Sequence, residues 1–284
     1  MYTRYLSILL CGSLTSATVF ADQELIEHEC KRISAKLASV GYKECLDKKL
    51  QLSNGSSVKN APILFKEYPP LLERRKPLGR VFLIGGIHGD EYSSVSIVFK
   101  WMKTLDEHHS GLFHWQIAPL VNPDGLLQEE SQRTNANGVD LNRNFPTPNW
   151  EEEMEEYWIV KTNRDPRRYP GKGALSEPET QWLIDEINKF NPDVIVSVHA
   201  PHGVVDYDGP EDGPYKLGRL YLSLLGTYPG SLGRYAGVHK QIPVVTVELP
   251  YAGIMPKPGE INDIWLDLIK WLGKHLPVQK VTQE

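Results

Sequence analysis

From Gly79 onward, apolar runs of strand length alternate with amphipathic runs of helix length. Val81-Phe82-Leu83-Ile84 is the clearest strand; Gly85-Gly86 ends it, and helical periodicity follows from about Ser93 to Leu105. Trp115 to Val121 reads as a second strand, with Pro119 demanding a bulge or an edge because proline has no N–H for a ladder. Glu177 to Phe190 has the 3.6-residue apolar period, with Ser176 and Glu179 spaced for a capping box. It leads into a strand from Asp193 to Val198; another runs from Val244 to Leu249 behind Pro243, and an amphipathic helix from about Glu260 to His275 follows. Strands of unbroken apolar character between helices predict an α/β fold, a mostly parallel sheet covered by helices.

The first 21 residues follow another pattern. Arg4 is their only charge, Tyr5 to Val19 is mostly apolar, and small residues end the stretch at Val19-Phe20-Ala21. This is the form of a secretory signal peptide, shorter and more diluted by Ser and Thr than a membrane span of about 20 apolar residues, with a retained anchor as the less favoured alternative. Residues 22–60 read as a helical extension and 61–284 as the catalytic domain. Cys30 and Cys45, 15 apart and flanking a helical segment from Gln23 to Val40, suit a disulfide in an exported protein, with two separate buried thiols as the alternative. Ser53-Asn54-Gly55-Ser56-Ser57 reads as a loop. So does Pro146 to Ala174, in which five glutamates (Glu151, Glu152, Glu153, Glu155, Glu156) precede Arg164, Arg167 and Arg168, with at most a short acidic helix.

The whole chain of 284 residues carries 31 Lys and Arg against 36 Asp and Glu, a net charge of −5. That balance gives no general attraction for nucleic acid or anionic lipid, so an anionic ligand must be caught by local cations. Candidate chemistry collects at the carboxyl ends of the expected strands, where open α/β sheets bind ligands. The first strand leads into His88-Gly89-Asp90-Glu91, the strand from Asp193 into His199, and the strand from Val244 ends in Glu248. Two imidazoles and a carboxylate from separate segments form a His2Glu set that leaves the fourth tetrahedral position of a zinc ion for water. His88, Glu91 and His199 are therefore the candidate ligands of one Zn2+.

These segments, together with Asn122-Pro123-Asp124-Gly125, the run from Arg133 through Asp140-Leu141-Asn142-Arg143-Asn144-Phe145, and Ser176-Glu177-Pro178-Glu179-Thr180, resemble the carboxypeptidase A-like zinc peptidases. The resemblance implies a central mixed sheet, mainly parallel, between layers of helices. It makes Glu248 the general base, Arg133 the cation that steadies a developing oxyanion, and Asn142 with Arg143 the clamp for a substrate carboxylate. A catalytic tyrosine, usual in such enzymes some twenty residues before the glutamate, has two candidates here, Tyr228 and Tyr235, with a loop that binds substrate backbone without any catalytic tyrosine as the alternative. The long Arg-Thr-Asn-Ala-Asn-Gly-Val-Asp-Leu-Asn-Arg motif looks most like the murein peptide amidase branch, which implies hydrolysis of the γ-D-glutamyl bond to meso-diaminopimelate in peptidoglycan peptides. Joined to the expected leader, this places the protein in the periplasm, with a peptide partner and neither nucleic acid nor, after cleavage, membrane. Asp206, Asp208, Glu211 and Asp212 could face the zwitterionic end of diaminopimelate, and Arg168 an acidic stem peptide, although solvated surface charge is the default for both. The alternatives are a metallocarboxypeptidase of L-peptides, an amidohydrolase like succinylglutamate desuccinylase or aspartoacylase, and, more distantly, a non-catalytic zinc-containing wall-binding protein.

Overall fold

A computed structural model describes residues 14–276, so the greater part of the expected leader, 1–21, lies outside the described residues. Among the described residues there are nine strands, β1 (Gln51–Ser56), β2 (Pro62–Tyr68), β3 (Arg80–Ile84), β4 (His114–Ala118), β5 (Val194–His199), β6 (Val204–Asp208), β7 (Lys216–Leu217), β8 (Leu220–Leu222) and β9 (Val244–Glu248). They form one mixed sheet in the order β1-β2-β4-β3-β5-β9-β6-β8-β7. The four central strands, β4, β3, β5 and β9, run parallel, while β1, β2 and β6 join antiparallel at the margins. Parallel strands need helical crossovers that cover both faces, which is why β3 and β5 are apolar without alternation.

The helices are α1 (Leu14–Lys36), α2 (Tyr42–Asp47), α3 (Tyr92–His108), α4 (Pro123–Leu127), α5 (Trp150–Glu155), α6 (Pro178–Phe190) and α7 (Pro258–His275). Val81 and Leu83 of β3 point to the face carrying Val98 and Trp101 of α3 and Trp265 and Leu268 of α7. Phe82 and Ile84 point the other way, onto Trp182, Leu183 and Ile187 of α6. Each such side chain, removed from water entirely, contributes roughly 1.5–3 kcal/mol. No described helix is long and apolar enough to cross a membrane.

A disulfide joins Cys30 of α1 to Cys45 of α2, with their Cα atoms 5.6 Å apart. The pair is pinned to the sheet through α3, where Lys100 Nζ donates to Glu44 Oε1 at 2.8 Å and Ser39 Oγ to Ser96 Oγ at 2.6 Å.

Three local expectations are corrected, and a fourth, a short acidic helix within 146–174, is met and extended. The polar stretch at Ser53–Ser57 belongs for most of its length to β1, an edge strand, and not to a loop. Gly55 is there because the Trp182 indole crosses the strand where any Cβ would stand. Pro119 imposes neither bulge nor edge: β4 ends at Ala118, before the proline, and lies between β2 and β3. The cap of α6 is Glu177, and no capping box forms. Ser176 Oγ donates instead to Glu177 Oε1, and the Glu179 carboxylate is taken by the Val58 N–H and by Asn135. Finally, 146–174 holds α5 and a π-helical turn, Glu156–Lys161, because Trp150, Met154 and Tyr157 recur on one side and bury together beneath the glutamates.

Candidate active site

Because β3, β5 and β9 run parallel, their carboxyl ends open on one edge, and the residues beyond them meet. His199 ends β5 and stands in register opposite Glu248, the last residue of β9. The loop after β3 brings in His88 and places Glu91 at the start of α3. Gly89 lets this loop pass so close to the Gly125–Leu126 backbone that a Cβ would collide with it.

One donor atom from each of His88, Glu91 and His199 lies within 4.8 Å of the others, and all three residues are buried. His88 Nδ1 is 2.8 Å from Glu91 Oε1, and His199 Nδ1 is 3.1 Å from Glu91 Oε2 and 3.2 Å from His88 Nδ1. The far ring nitrogens are occupied, His88 Nε2 by Asp140 Oδ1 at 3.1 Å and His199 Nε2 by Ser197 Oγ at 3.0 Å. An Nε2–H held by a carboxylate leaves the Nδ1 lone pair facing inward, the arrangement that orients imidazoles on a metal. Burial alone would raise the pKa of Glu91, but His88 and His199 hold it below the usual carboxylate range. Two inward imidazole nitrogens beside a buried carboxylate make a donor set that suits a divalent cation, and zinc in particular.

Asp140 organises the wall behind this cluster. Its Oδ1 accepts from His88 and from the Asn142 N–H at 3.1 Å, and its Oδ2 accepts from Arg133 Nε at 3.0 Å. Burial opposes its charge, yet Arg133 and His88 keep its pKa well below the ordinary value. Arg133 also reaches Glu91, Nη1 to Oε1 at 3.6 Å. Burial works against the charge of Arg133, and Asp140 and Glu91 outweigh it.

The cleft has a volume of about 760 Å³ and is lined by every metal-ligand candidate and by Glu248, Arg133, Asn142 and Arg143. The Glu248 carboxylate faces it, with the His202 N–H 3.5 Å from its Oε2. Asn142 Oδ1 accepts from the Leu232 N–H at 2.8 Å, which fixes the amide with its NH2 unengaged among the described residues. Arg143 lies between the rings of Tyr157 and Tyr228, 5.2 and 4.6 Å from their centroids. Its Nη2 donates to Tyr157 Oη at 3.1 Å, its Nη1 to Asn142 O at 2.6 Å, and its Nε is buried without a partner.

Of the two tyrosines, Tyr228 lines the cleft, while Tyr235 is buried and stacks on Phe145 at 5.7 Å. Asp206 and Asp208 are not part of a solvated loop; they lie two apart on β6 and both face the cleft. Burial raises the pKa of each, that of Asp208 to about 7 with help from Asp206. Glu211 lines a separate cavity with Trp271 and His275, and Asp212 lines neither. Asp140, Tyr157 and Ser197 are site residues that sequence reasoning did not single out. Asp140 lay within a quoted motif, where its spacing of two from Asn142 was a usable signal, whereas Tyr157 was masked by its glutamate neighbours.

A family model described as zinc carboxypeptidase matches residues 50–211. Murein peptide amidase A of Vibrio campbellii is 34% identical over 205 residues, covering 70% of this chain and 78% of that protein. The Escherichia coli K12 protein of the same name is 34% identical over 204 residues, 69% and 79% of the two chains. Among solved structures, a murein-tripeptide amidase from Escherichia coli O157 aligns with a TM-score of 0.54 and 28% identity over 75% of this chain and 89% of its own. Carboxypeptidase A of Helicoverpa armigera aligns at 0.60 and 18% identity, over 82% and 71%, a likeness of fold.

Proposed function

This chain belongs to the zinc carboxypeptidase family, and from that premise we propose that it is an exported, periplasmic amidase of peptidoglycan stem peptides that hydrolyses the γ-D-glutamyl–meso-diaminopimelate bond. The observation that carries the reading is the convergence, in one cleft, of a three-donor metal cluster, a facing carboxylate and a guanidinium without a carboxylate partner. The 34% identity to murein peptide amidases directs that cleft to peptidoglycan peptides.

His88, Glu91 and His199 would hold a zinc ion, which would supply Lewis acidity at the scissile carbonyl and lower the pKa of water. Glu248 takes a proton from the attacking water on a carboxylate oxygen and delivers it to the leaving amine. Arg133 donates to the oxygen on which negative charge develops, and Asp140 aims it from behind. The free Asn142 NH2 and the Arg143 guanidinium receive the carboxylate of the released residue, a planar fork meeting a planar anion. Asp206 and Asp208, which line the cleft, meet the distal ammonium of diaminopimelate, so the pocket offers both signs to a zwitterion.

Glu248→Gln keeps the shape of the base and removes its proton affinity. The variant should hold one equivalent of zinc and lose about 10²–10⁴-fold in kcat. Turnover within tenfold of the parent, with zinc bound, would remove Glu248 from the mechanism.

A further inference from the structure

Arg143 is buried, and a buried charge is normally paired. Other arginines nearby are: Arg133 with Asp140 and Glu91, Arg167 with Asp90 at 2.8 Å, and Arg234 with Glu153, Nη2 to Oε1 at 2.8 Å. Among the described residues no carboxylate pairs with Arg143. In place of an anion it has a phenol oxygen, a backbone carbonyl and two ring faces. Of its five N–H bonds, hydrogen bonds account for two, and the Nε–H is buried without an acceptor.

The two rings do not contribute alike. The Tyr228 hydroxyl donates to Leu225 O at 3.3 Å, within its own loop, and the residue is exposed, so Tyr228 gives Arg143 only a face. Tyr157 is buried and gives both its face and its oxygen, which accepts from Nη2 at 3.1 Å. The oxygen fixes the direction of the guanidinium as the ring fixes its plane. The same segment grips Arg143 a second time, because Trp150 Nε1, at the start of α5, donates to Arg143 O at 2.9 Å. Glu153, between these two aromatics in sequence, is held by Arg234 of the π-helical turn Gly233–His239. Tyr157 is therefore a placed residue, and its only recorded hydrogen bond among the described residues is the one to Arg143.

Charge decides what such a partner does. A carboxylate in place of the phenol would pair with Arg143, and any incoming anion would have to displace it. A neutral oxygen and a π face stabilise the buried cation without neutralising it. The donors that remain, the Nε–H among them, stay open to a ligand of the opposite sign.

We propose that Tyr157 is the positioning residue of the carboxylate clamp: its oxygen and ring hold the Arg143 guanidinium oriented and without a counter-charge, and so give the cleft its preference for a free carboxylate on the released residue over a carboxamide. This rests on the clamp role given to Arg143 above. The test uses the zinc-loaded parent, Tyr157→Phe, which keeps the ring and removes the oxygen, and Tyr157→Leu, which removes both. The substrates are L-Ala-γ-D-Glu-meso-diaminopimelate and the same peptide with a carboxamide for the carboxylate next to the scissile nitrogen. The ratio of kcat/KM, acid over amide, should fall about tenfold in Tyr157→Phe, the loss of a hydrogen bond to a charged group, and about threefold further in Tyr157→Leu as the ring face goes. The change should lie in KM for the acid. An equal loss on both peptides would mean a structural role, and that result, or a ratio that survives in both variants, overturns the proposal.

The second readout needs no turnover. Calorimetry compares binding of the same acid and amide made as non-hydrolysable analogues, with the scissile carbonyl reduced to a methylene. The parent should bind the acid more tightly, and both variants should lose that margin. A margin present in the parent and lost in the variants, with neither peptide hydrolysed, would count against the amidase reading and in favour of Tyr157. Hydrolysis by all three proteins with the acid preference intact would do the reverse. A parent that prefers the acid in neither readout would remove the clamp and the proposal with it.

Discussion

Asp140→Asn is the perturbation that most sharply separates organisation of the site from its chemistry, because Asp140 touches neither the proposed metal position nor the base. With the amide oxygen in place of Oδ1, the bonds from His88 Nε2 and the Asn142 N–H survive. The amide NH2 then opposes Arg133 Nε–H, replacing an acceptor at 3.0 Å with a second donor. Removing one member of a buried ion pair costs about 3–5 kcal/mol. Arg133 keeps its 3.6 Å contact with Glu91, so we expect about 2–3 kcal/mol in the metal-free protein. Loss of the carboxylate behind a ligating histidine lowers metal affinity by about 10–100-fold, or roughly 1.4–2.7 kcal/mol. With both forms saturated by excess zinc, the linkage adds that amount to the stability gap.

The assay is urea denaturation of parent and variant with and without zinc, together with zinc titration against a competing chelator. Asp140 has a depressed pKa in the folded protein, so its stabilising charge is fully present above its unfolded value of about 4 and is lost as pH falls through the folded one. The gap between parent and variant should therefore be constant near neutrality and narrow below about pH 4. A variant that unfolds within about 0.5 kcal/mol of the parent, the range of an inconsequential surface change, and binds zinc equally well would refute the role given to Asp140.

Two further outcomes follow from the same geometry. The pKa of Asp208 is raised to about 7, so the folded protein loses stability as pH rises from about 4 through 7. Asp208→Asn should accordingly be more stable than the parent at pH 8 and not at pH 4, by about 2 kcal/mol, half of the roughly 4 kcal/mol that a three-unit shift carries because solvent reaches part of the group, while its KM for a substrate bearing the distal ammonium rises; a pH-independent difference in urea midpoints would contradict this. Cys45→Ala removes the clasp between α1 and α2 and should cost about 3 kcal/mol in the chain-entropy account, with reductant abolishing the difference between variant and parent in the same denaturation assay.

The strands that position the site were legible because parallel, doubly covered strands must be apolar along their length. Val81–Ile84 and the run ending in His199 could hardly be read otherwise, and a His or Glu at the end of each stood out. What escaped was set by partners distant in sequence. Strand β1 is polar and contains a glycine, and only the Trp182 side chain passing over Gly55 explains it. Asp206 and Asp208 were submerged in an acidic run, although their spacing of two on a strand that alternates with Val205 and Tyr207 was the sign that both face one way. The apolar side of α5 was hidden by its glutamates. The role of Asp140 depends on the loop from Arg133 to Arg143 folding back behind His88, a relation between loops that no local pattern carries.

The most direct measurement is mass spectrometry of L-Ala-γ-D-Glu-meso-diaminopimelate incubated with the zinc-loaded protein, beside a chelator-treated control and a panel of α-linked L-peptides. The account predicts release of free diaminopimelate, abolished by the chelator, with the L-peptides left intact. Cleavage of the L-peptides alone, or an untouched tripeptide in the presence of bound zinc, would contradict it.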